Sequence, residues 1–254
     1  MNHAHTLAFP AAAPHDDNTI PVFARRLGSW QFTLRRRALR PDELAARYDQ
    51  AAPGWSRTLD RLGVPNAYET LLRTALKDEP SLYRAPQARV LDCGIGTGAL
   101  SAALADALPV PFALKGVDIS TRMLARARAR LYGTGIQSSL QQGDIQALPF
   151  DSNQFDLAMT AHVLEHLAHP ETALWEMFRV VKPGGLILVC LTRRSPLGAY
   201  VQLKWRTHRV TGHETETWLR DAGLENVRCL PLRGGVWYRQ LSVACIGRKP
   251  ETLI

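Results

Sequence analysis

The chain has 254 residues, 46% of them hydrophobic and 21% charged, a size and mix that fit one generous α/β domain rather than two. No apolar run approaches the roughly 20 residues a membrane helix needs, and Met1–Ile20 holds no Lys or Arg and no continuous apolar core, so no secretory signal is expected and a cytoplasmic location is. The formal net charge of +8 is local: Arg25, Arg26, Arg35, Arg36, Arg37 and Arg40 fall between Pro21 and Pro41 without an acid, and five further basic residues lie between Arg193 and Arg209, again without one. Such patches fit anionic partners (phosphate-bearing substrates, acidic membrane surfaces, nucleic acid) or a merely solvated basic face.

In chain order, residues 1–20 are rich in Ala, Pro, His and Asp without periodicity and are expected to form a disordered tail. Phe23, Leu27, Trp30 and Leu34 then recur at spacings of four, three and four, which predicts a helix weakened by Gly28 and Thr33. Pro41-Asp42-Glu43 opens a second helix with Pro and acids where a helix start favours them. A third spans about Asn66–Lys77. From Arg89 strands and helices alternate: strand Arg89–Cys93, helix Thr97–Leu108, strand Phe112–Asp118, and helix Thr121–Leu131 with Ser120 as its N-cap. Strands near Ile136–Gln142 and Phe155–Thr160 follow, then two helical stretches within His162–Val181, and a Pro183-Gly184-Gly185 turn into strand Leu186–Leu191. Helix Glu214–Ala222 precedes strands Val227–Leu232 and Gln240–Ile246, which lack an intervening helix and should pair antiparallel at an edge. The alternation predicts an α/β, doubly wound, mostly parallel sheet. Cys93, Cys190, Cys229 and Cys245 lie far apart in apolar stretches and read as small buried hydrophobes.

The chemistry concentrates in Val90-Leu91-Asp92-Cys93-Gly94-Ile95-Gly96-Thr97-Gly98, where a strand ends in an acid and passes through three alternating glycines into a helix. Glycines there let the backbone turn sharply and approach a ligand closely. A dinucleotide loop reads G-x-G-x-x-G and faces a pyrophosphate, whereas here the spacing is G-x-G-x-G and Asp92 would repel one. The acid suits the ammonium end of an amino-acid ligand. Asp118, ending the next strand, can accept two ribose hydroxyls, and Asp144 in Gly143-Asp144-Ile145 can accept from an adenine amino group. In this order the three describe one ligand with an amino-acid end, a ribose and an adenine.

These segments resemble the class I S-adenosylmethionine-dependent methyltransferases, nearest the branch of the ubiquinone and menaquinone biosynthesis methyltransferases and bacterial phospholipid N-methyltransferases. Leu91–Gly98 is similar to the family's first motif, Val117–Ser120 to its second, and Gly143–Phe150 to its adenine-binding segment. Phe155-Asp156-Leu157 with Val163–Leu167 resembles its fourth-strand region, and Arg179–Gly185 the turn before its fifth strand. The resemblance covers roughly residues 88–192 and implies a seven-stranded Rossmann-like sheet with an antiparallel edge pair, and S-adenosyl-L-methionine as cofactor, leaving as S-adenosyl-L-homocysteine. It implies that Asp92, Gly94, Gly96 and Gly98 surround the methionine part, Asp118 holds the ribose, and Ile119 and Met123 pack on the adenine. Asp144 and Ile145 would bind the adenine edge, Thr160-Ala161-His162 would line the transfer cleft, and Tyr48, from an N-terminal cover, would reach the cofactor. The organisation expected is a tail over 1–20, a basic segment and helical cover over 21–80, and the cofactor-binding catalytic domain over 81–250.

Methyl transfer from a sulfonium is an in-line displacement that needs alignment and exclusion of water, with a base where the acceptor carries a proton. His162 and His166 are the nearest base candidates. His162-Val163-Leu164-Glu165-His166 also spells an inverted zinc-protease string whose residues would share one helical face. The family it resembles often carries such a string without metal, and the members that bind a divalent ion use a Glu-x-x-Glu-His variant whose first glutamate is replaced here by His162, so no metal is expected. Acceptor choice falls to the two basic regions, and Leu197–Arg206 interleaves apolar and basic residues as a lipid interface or a lid over an amphipathic substrate would. The expected acceptor is therefore small or amphipathic, a lipid or quinone precursor methylated on nitrogen, oxygen or carbon, with peripheral contact to an anionic membrane. RNA or protein is the alternative substrate class, although aromatic residues are only 7% and stacking platforms are not indicated. A nicotinamide-binding domain and a non-catalytic cofactor-binding scaffold are the competing classes.

Overall fold

The computed structural model describes residues 18–61, 63–79, 82–83, 87–193, 210–230 and 242–251. Residues 1–17 of the tail predicted over 1–20, and most of the second basic region, including Leu197–Arg206, lie outside the described residues. So does much of the stretch between the last two strands.

The N-terminal segment departs from the helical expectation. Thr19–Leu27 (β1) and Trp30–Arg37 (β2) form an antiparallel hairpin, with Leu27 opposite Trp30 and Arg25 opposite Phe32. Spacings of four, three and four also contain the even intervals of a strand, as at Trp30, Phe32 and Leu34. Gly28, in the left-handed region at φ 58°, supplies a turn that a helix would not use. The expected tail is also cut short, because Ile20 is already buried in β1 and the Ala38 N–H donates to the Asn18 carbonyl at 2.8 Å.

Helices Pro41–Arg61 (α1) and Val64–Leu76 (α2) follow as predicted. Next come Ala88–Cys93 (β3), Ala99–Ala107 (α3), Phe112–Asp118 (β4), Thr121–Leu131 (α4), Gln137–Gln142 (β5) and Phe155–Ala161 (β6). Pro170–Val180 (α5), Val181–Thr192 (β7), Gly212–Asp221 (α6), Glu225–Leu230 (β8) and Ser242–Arg248 (β9) complete the order. The seven-stranded sheet runs β5-β4-β3-β6-β7-β9-β8, parallel except for β9, which pairs antiparallel with both β7 and β8.

Period-two alternation distributes the sheet's side chains between two cores. In β7, Leu186, Leu188 and Cys190 join α2, α3 and α4 on one face, while Ile187, Val189 and Leu191 join α5 and α6 on the other. Because β4 and β6 flank β3, the strand order reverses there and opens a crevice at the carboxyl ends. No helix among the described residues is long and apolar enough to cross a membrane.

The cysteines divide. Cys93 and Cys190 are buried and free, but Cys229 and Cys245 are joined by a disulfide, against the reading of all four as unpaired hydrophobes. Their 16-residue separation carries no pairing signal; the β8–β9 register sets them directly opposite one another.

Candidate active site

The glycine-rich loop is held by its neighbours. The N–H groups of Gly94 and Ile95 both donate to the Val117 carbonyl, at 2.7 and 3.0 Å. Gly94, Gly96 and Gly98 all have positive φ, at 75°, 54° and 75°. At Gly94 a Cβ would sit 2.4 Å from Val163 Cγ2, whereas at Gly96 it would meet nothing nearer than 4.0 Å. The loop is therefore closed at its start and open above Gly96, where a ligand can lie against bare backbone. Gly98 faces Ala127 and caps α3 rather than lining the opening.

Sheet register brings the acids together. In the parallel ladders Asp92 pairs with Gly116 and Asp118 with Gln142, so the ends of β3, β4 and β5 share one edge. Asp118 Oδ2 accepts from the Gly96 N–H at 2.7 Å and Oδ1 from the Ser120 N–H at 2.9 Å, which ties the glycine loop to the second acid. Burial pushes the Asp118 carboxyl up to about 6, against those two backbone donors. Asp92, 1% exposed, accepts from Ser101 Oγ at 2.5 Å; burial raises it to about 7, and the nearby Asp118 charge adds to the rise. Asp144 Oδ1 accepts from the Gln146 N–H at 2.9 Å, fixing the turn after β5.

These residues face a cleft of about 1310 Å³, its mouth included, lined by Asp92, Gly94, Gly96, Asp118, Ile119, Met123, Asp144 and Ile145 among others. Thr160 is the exception. It is fully buried and its hydroxyl donates to the Cys93 carbonyl at 2.7 Å, so it braces the end of β3 and Ala161 takes its place at the cleft wall. The opposite wall comes from the N-terminal cover: Asn18, Leu39, Pro41, Leu44, Tyr48 and Tyr68. Asp49 clamps that cover down, accepting from Ser120 Oγ at 2.5 Å and from the Arg122 N–H at 3.3 Å.

Tyr48 turns its hydroxyl to His166 Nε2 at 2.6 Å, with the two rings edge to face. Burial, with the Glu165 and Asp118 charges adding to it, pushes the phenol well above its ordinary value, so it stays protonated. The other histidine is committed elsewhere. His162 Nδ1 lies 3.1 Å from Glu165 Oε1 and 3.2 Å from Thr192 Oγ1, and Nε2 lies 3.2 Å from Ser242 Oγ. Burial works against a charged His162 ring, but Cys190 and the Glu165 carboxylate outweigh it and raise the imidazolium to about 10. Glu165, fully buried, is held below its usual value chiefly by His162 despite the cost of burial. The five-residue string is not one helical face: His162 has φ 59° and Leu164–His166 is a 3-10 turn, which sends the two histidines to different partners.

S-adenosylmethionine fits this cleft. Thr97 Oγ1 is buried in the cleft wall with no hydrogen-bond partner among the described residues, beside the open face of Gly96. Two buried carboxylates on one rim suit a ligand carrying positive charge and hydroxyl donors.

Comparison with known proteins agrees with this geometry. The methyltransferase-domain family matches residues 91–189. A demethylmenaquinone methyltransferase of Clavibacter sepedonicus is 31% identical over 238 residues, spanning 82% of this chain and 93% of that one. A ubiquinone/menaquinone biosynthesis C-methyltransferase of Cupriavidus taiwanensis is 33% identical over 177 residues, 59% of this chain and 73% of that one. A solved methyltransferase structure from Thermotoga maritima superposes with a TM-score of 0.60 at 22% identity, covering 81% of this chain and 99% of that one, and shares the fold. The chain belongs to the class I S-adenosylmethionine-dependent methyltransferases, a family whose methyl donor is S-adenosylmethionine, and is similar to those of ubiquinone and menaquinone biosynthesis.

Proposed function

We propose that this methyltransferase acts on an amphipathic aromatic acceptor of the quinone-precursor type, at a ring carbon. The observation that carries the reading is an apolar stretch of the cleft wall. Leu39, Leu44, Tyr68, Val163 and Leu167 make it apolar, and the Tyr48–His166 pair is set among them. A flat apolar ring bearing a hydroxyl suits a hydrogen-bonded polar pair set beside apolar side chains. The names of the relatives, which are quinone-biosynthesis methyltransferases, support the same class.

In this reading residues 81–250 form the catalytic domain, working in the cytoplasm, and 21–80 its cover. Bound S-adenosylmethionine supplies an electrophilic methyl group on a sulfonium. Asp92, Gly94, Gly96 and Thr97 would hold its amino-acid end, Asp118 its ribose hydroxyls, and Ile119, Met123, Asp144 and Ile145 its adenine. The cover, clamped through Asp49, excludes water from the transfer path. An acceptor hydroxyl can donate to the Tyr48 oxygen while that phenol donates to His166 Nε2, so a net proton passes to His166 as the ring carbon becomes nucleophilic. The ring C–H proton displaced by the new methyl group then returns to the acceptor oxygen and restores its hydroxyl. His162, protonated and engaged on both nitrogens, would position Glu165 and β7 and take no proton.

The test is mass spectrometry of a demethylated prenyl quinol and of a lipid extract, each incubated with the protein and deuteromethyl-labelled donor. A ring-methylated quinol is expected; label found only in another chemical class overturns the acceptor assignment. Tyr48→Phe and His166→Asn should each lower kcat about 10²- to 10⁴-fold, the range for a positioned proton acceptor, and change its pH profile. Unchanged kcat in both would remove the dyad from the reaction.

A further inference from the structure

The β1–β2 hairpin has two unlike faces. Residues directly opposite in an antiparallel pair share a face, so the pairs Leu27–Trp30 and Arg25–Phe32 lie on one side, joined by Leu34 two residues further along β2. Leu27, Trp30, Phe32 and Leu34 are 53%, 72%, 56% and 62% exposed, and form an apolar strip toward the tip of the hairpin. Arg26, Gln31, Thr33 and Arg35 occupy the other side. Apolar residues scattered singly are ordinary, but four on one face of a two-stranded ribbon mark a contact surface.

Charge indicates what covers it. Six arginines and no acid lie between Pro21 and Pro41. At the root, Arg37 is paired with Glu43 and Arg40 with Asp42. Among the described residues Arg25, Arg26 and Arg35 have no carboxylate partner, and Arg25 and Arg26 directly precede the apolar tip Leu27-Gly28-Ser29-Trp30. Tryptophan beside arginine suits a bilayer interface, where the indole lies at headgroup depth and the guanidinium reaches lipid phosphate. A second copy of the chain laid on this face would set arginine against arginine.

Position supplies a further argument. The hairpin is anchored by buried Ile20 and Ala38, and the residues where it begins and ends, Asn18 and Leu39, both line the cleft. We propose that the hairpin docks the enzyme on an anionic bilayer, its Leu27–Trp30 tip and Phe32–Leu34 strip entering the headgroup layer with the cleft mouth at the membrane surface. This rests on the amphipathic-acceptor reading, because an acceptor with a lipid tail would then reach the cleft from the bilayer without crossing water.

Docking is tested without donor or acceptor, by co-sedimentation of the full chain with phosphatidylcholine vesicles with and without phosphatidylglycerol. Binding is expected to require phosphatidylglycerol and to weaken as salt is raised. Trp30→Ser/Phe32→Ser and, separately, Arg25→Glu/Arg26→Glu should each reduce partitioning at least about tenfold. Neither pair touches the donor site, so unchanged S-adenosylmethionine affinity verifies that each variant is folded. Wild-type protein left in the supernatant at low salt, or a hairpin-dependent dimer in sedimentation velocity with no vesicle binding, overturns the proposal. Vesicle binding by a protein that methylates no quinol supports docking and overturns only the acceptor assignment; quinol methylation without vesicle binding does the reverse.

Discussion

Asp92 and Asp118 carry opposing demands. Each is buried and each is pushed up, to about 7 and about 6, so in the donor-free protein they resist ionisation. Their folded pKa values exceed the unfolded value of 3.8, so between about pH 4 and pH 7 the folded chain binds more protons than the unfolded one. Stability from these two groups is therefore fully present below about pH 4 and is lost as pH rises through 6 and 7. Asp92→Asn should raise the thermal midpoint of the donor-free protein at pH 8, by an amount equivalent to roughly 1–3 kcal/mol, with little effect at pH 4. The same change should weaken S-adenosylmethionine binding at least about tenfold, read by titration calorimetry, because a buried charge–charge contact is lost. Asp118→Ala should weaken it by about 2–4 kcal/mol in the same experiment, through two ribose hydroxyls left without an acceptor. An unaltered dissociation constant would remove Asp118 from the donor site. The acids themselves were legible in the sequence, since each follows a short apolar run and precedes a turn. Their partners were not: Ser101 beneath Asp92, and the orphaned Thr97 hydroxyl, emerge only when the chain is folded.

Between elements, Ser120 connects the cover to the catalytic sheet. Its hydroxyl accepts from the Met123 N–H at 3.0 Å as the N-cap of α4, and donates to Asp49 of α1 at 2.5 Å. Ser120→Ala should cost about 1–2 kcal/mol of global stability, and a double-mutant cycle with Asp49→Ala should show coupling of roughly 0.5–3 kcal/mol. Limited proteolysis would then cut within Pro41–Arg61 earlier than in the wild type; an unchanged cleavage pattern would dissociate the cap from the cover. Capping was readable from the Ser-Thr-Arg-Met string, because an N-cap is a local motif. The Asp49 contact spans 71 residues and left no local trace. The β1–β2 hairpin failed in the other direction, because Phe23, Leu27, Trp30 and Leu34 fit a helical stripe on spacing alone. Strand pairing around Gly28 prevailed, since it also satisfies the backbone groups of both segments.

Across the whole molecule, the parallel core from Ala88 to Thr192 came out of the sequence almost residue by residue. Its signals are local: apolar runs of strand length, glycine turns, helix caps and acids at strand ends. One long-range contact outside that core is Glu79, 3% exposed, which pairs with Arg228 of β8 and Arg248 of β9 and pins the end of the helical cover to the antiparallel edge. Glu79→Gln should lower stability by roughly 1–3 kcal/mol, measured by urea denaturation, because two guanidinium groups lose their shared anion. The sequence by itself determined that Asp92, Asp118 and a glycine loop would stand at the ends of neighbouring parallel strands, with Asp144 in the turn after the next, because strand and turn chemistry are written locally. Tertiary structure alone decided the partners of the two histidines, since His162 meets Glu165, Thr192 and Ser242 while His166 meets a tyrosine 118 residues away. It also decided that Cys229 and Cys245 join and that five of the N-terminal arginines ride on a hairpin whose flanking residues Asn18 and Leu39 line the cleft. Those outcomes depend on register and on packing between distant segments, and neither leaves a periodic mark on a single chain.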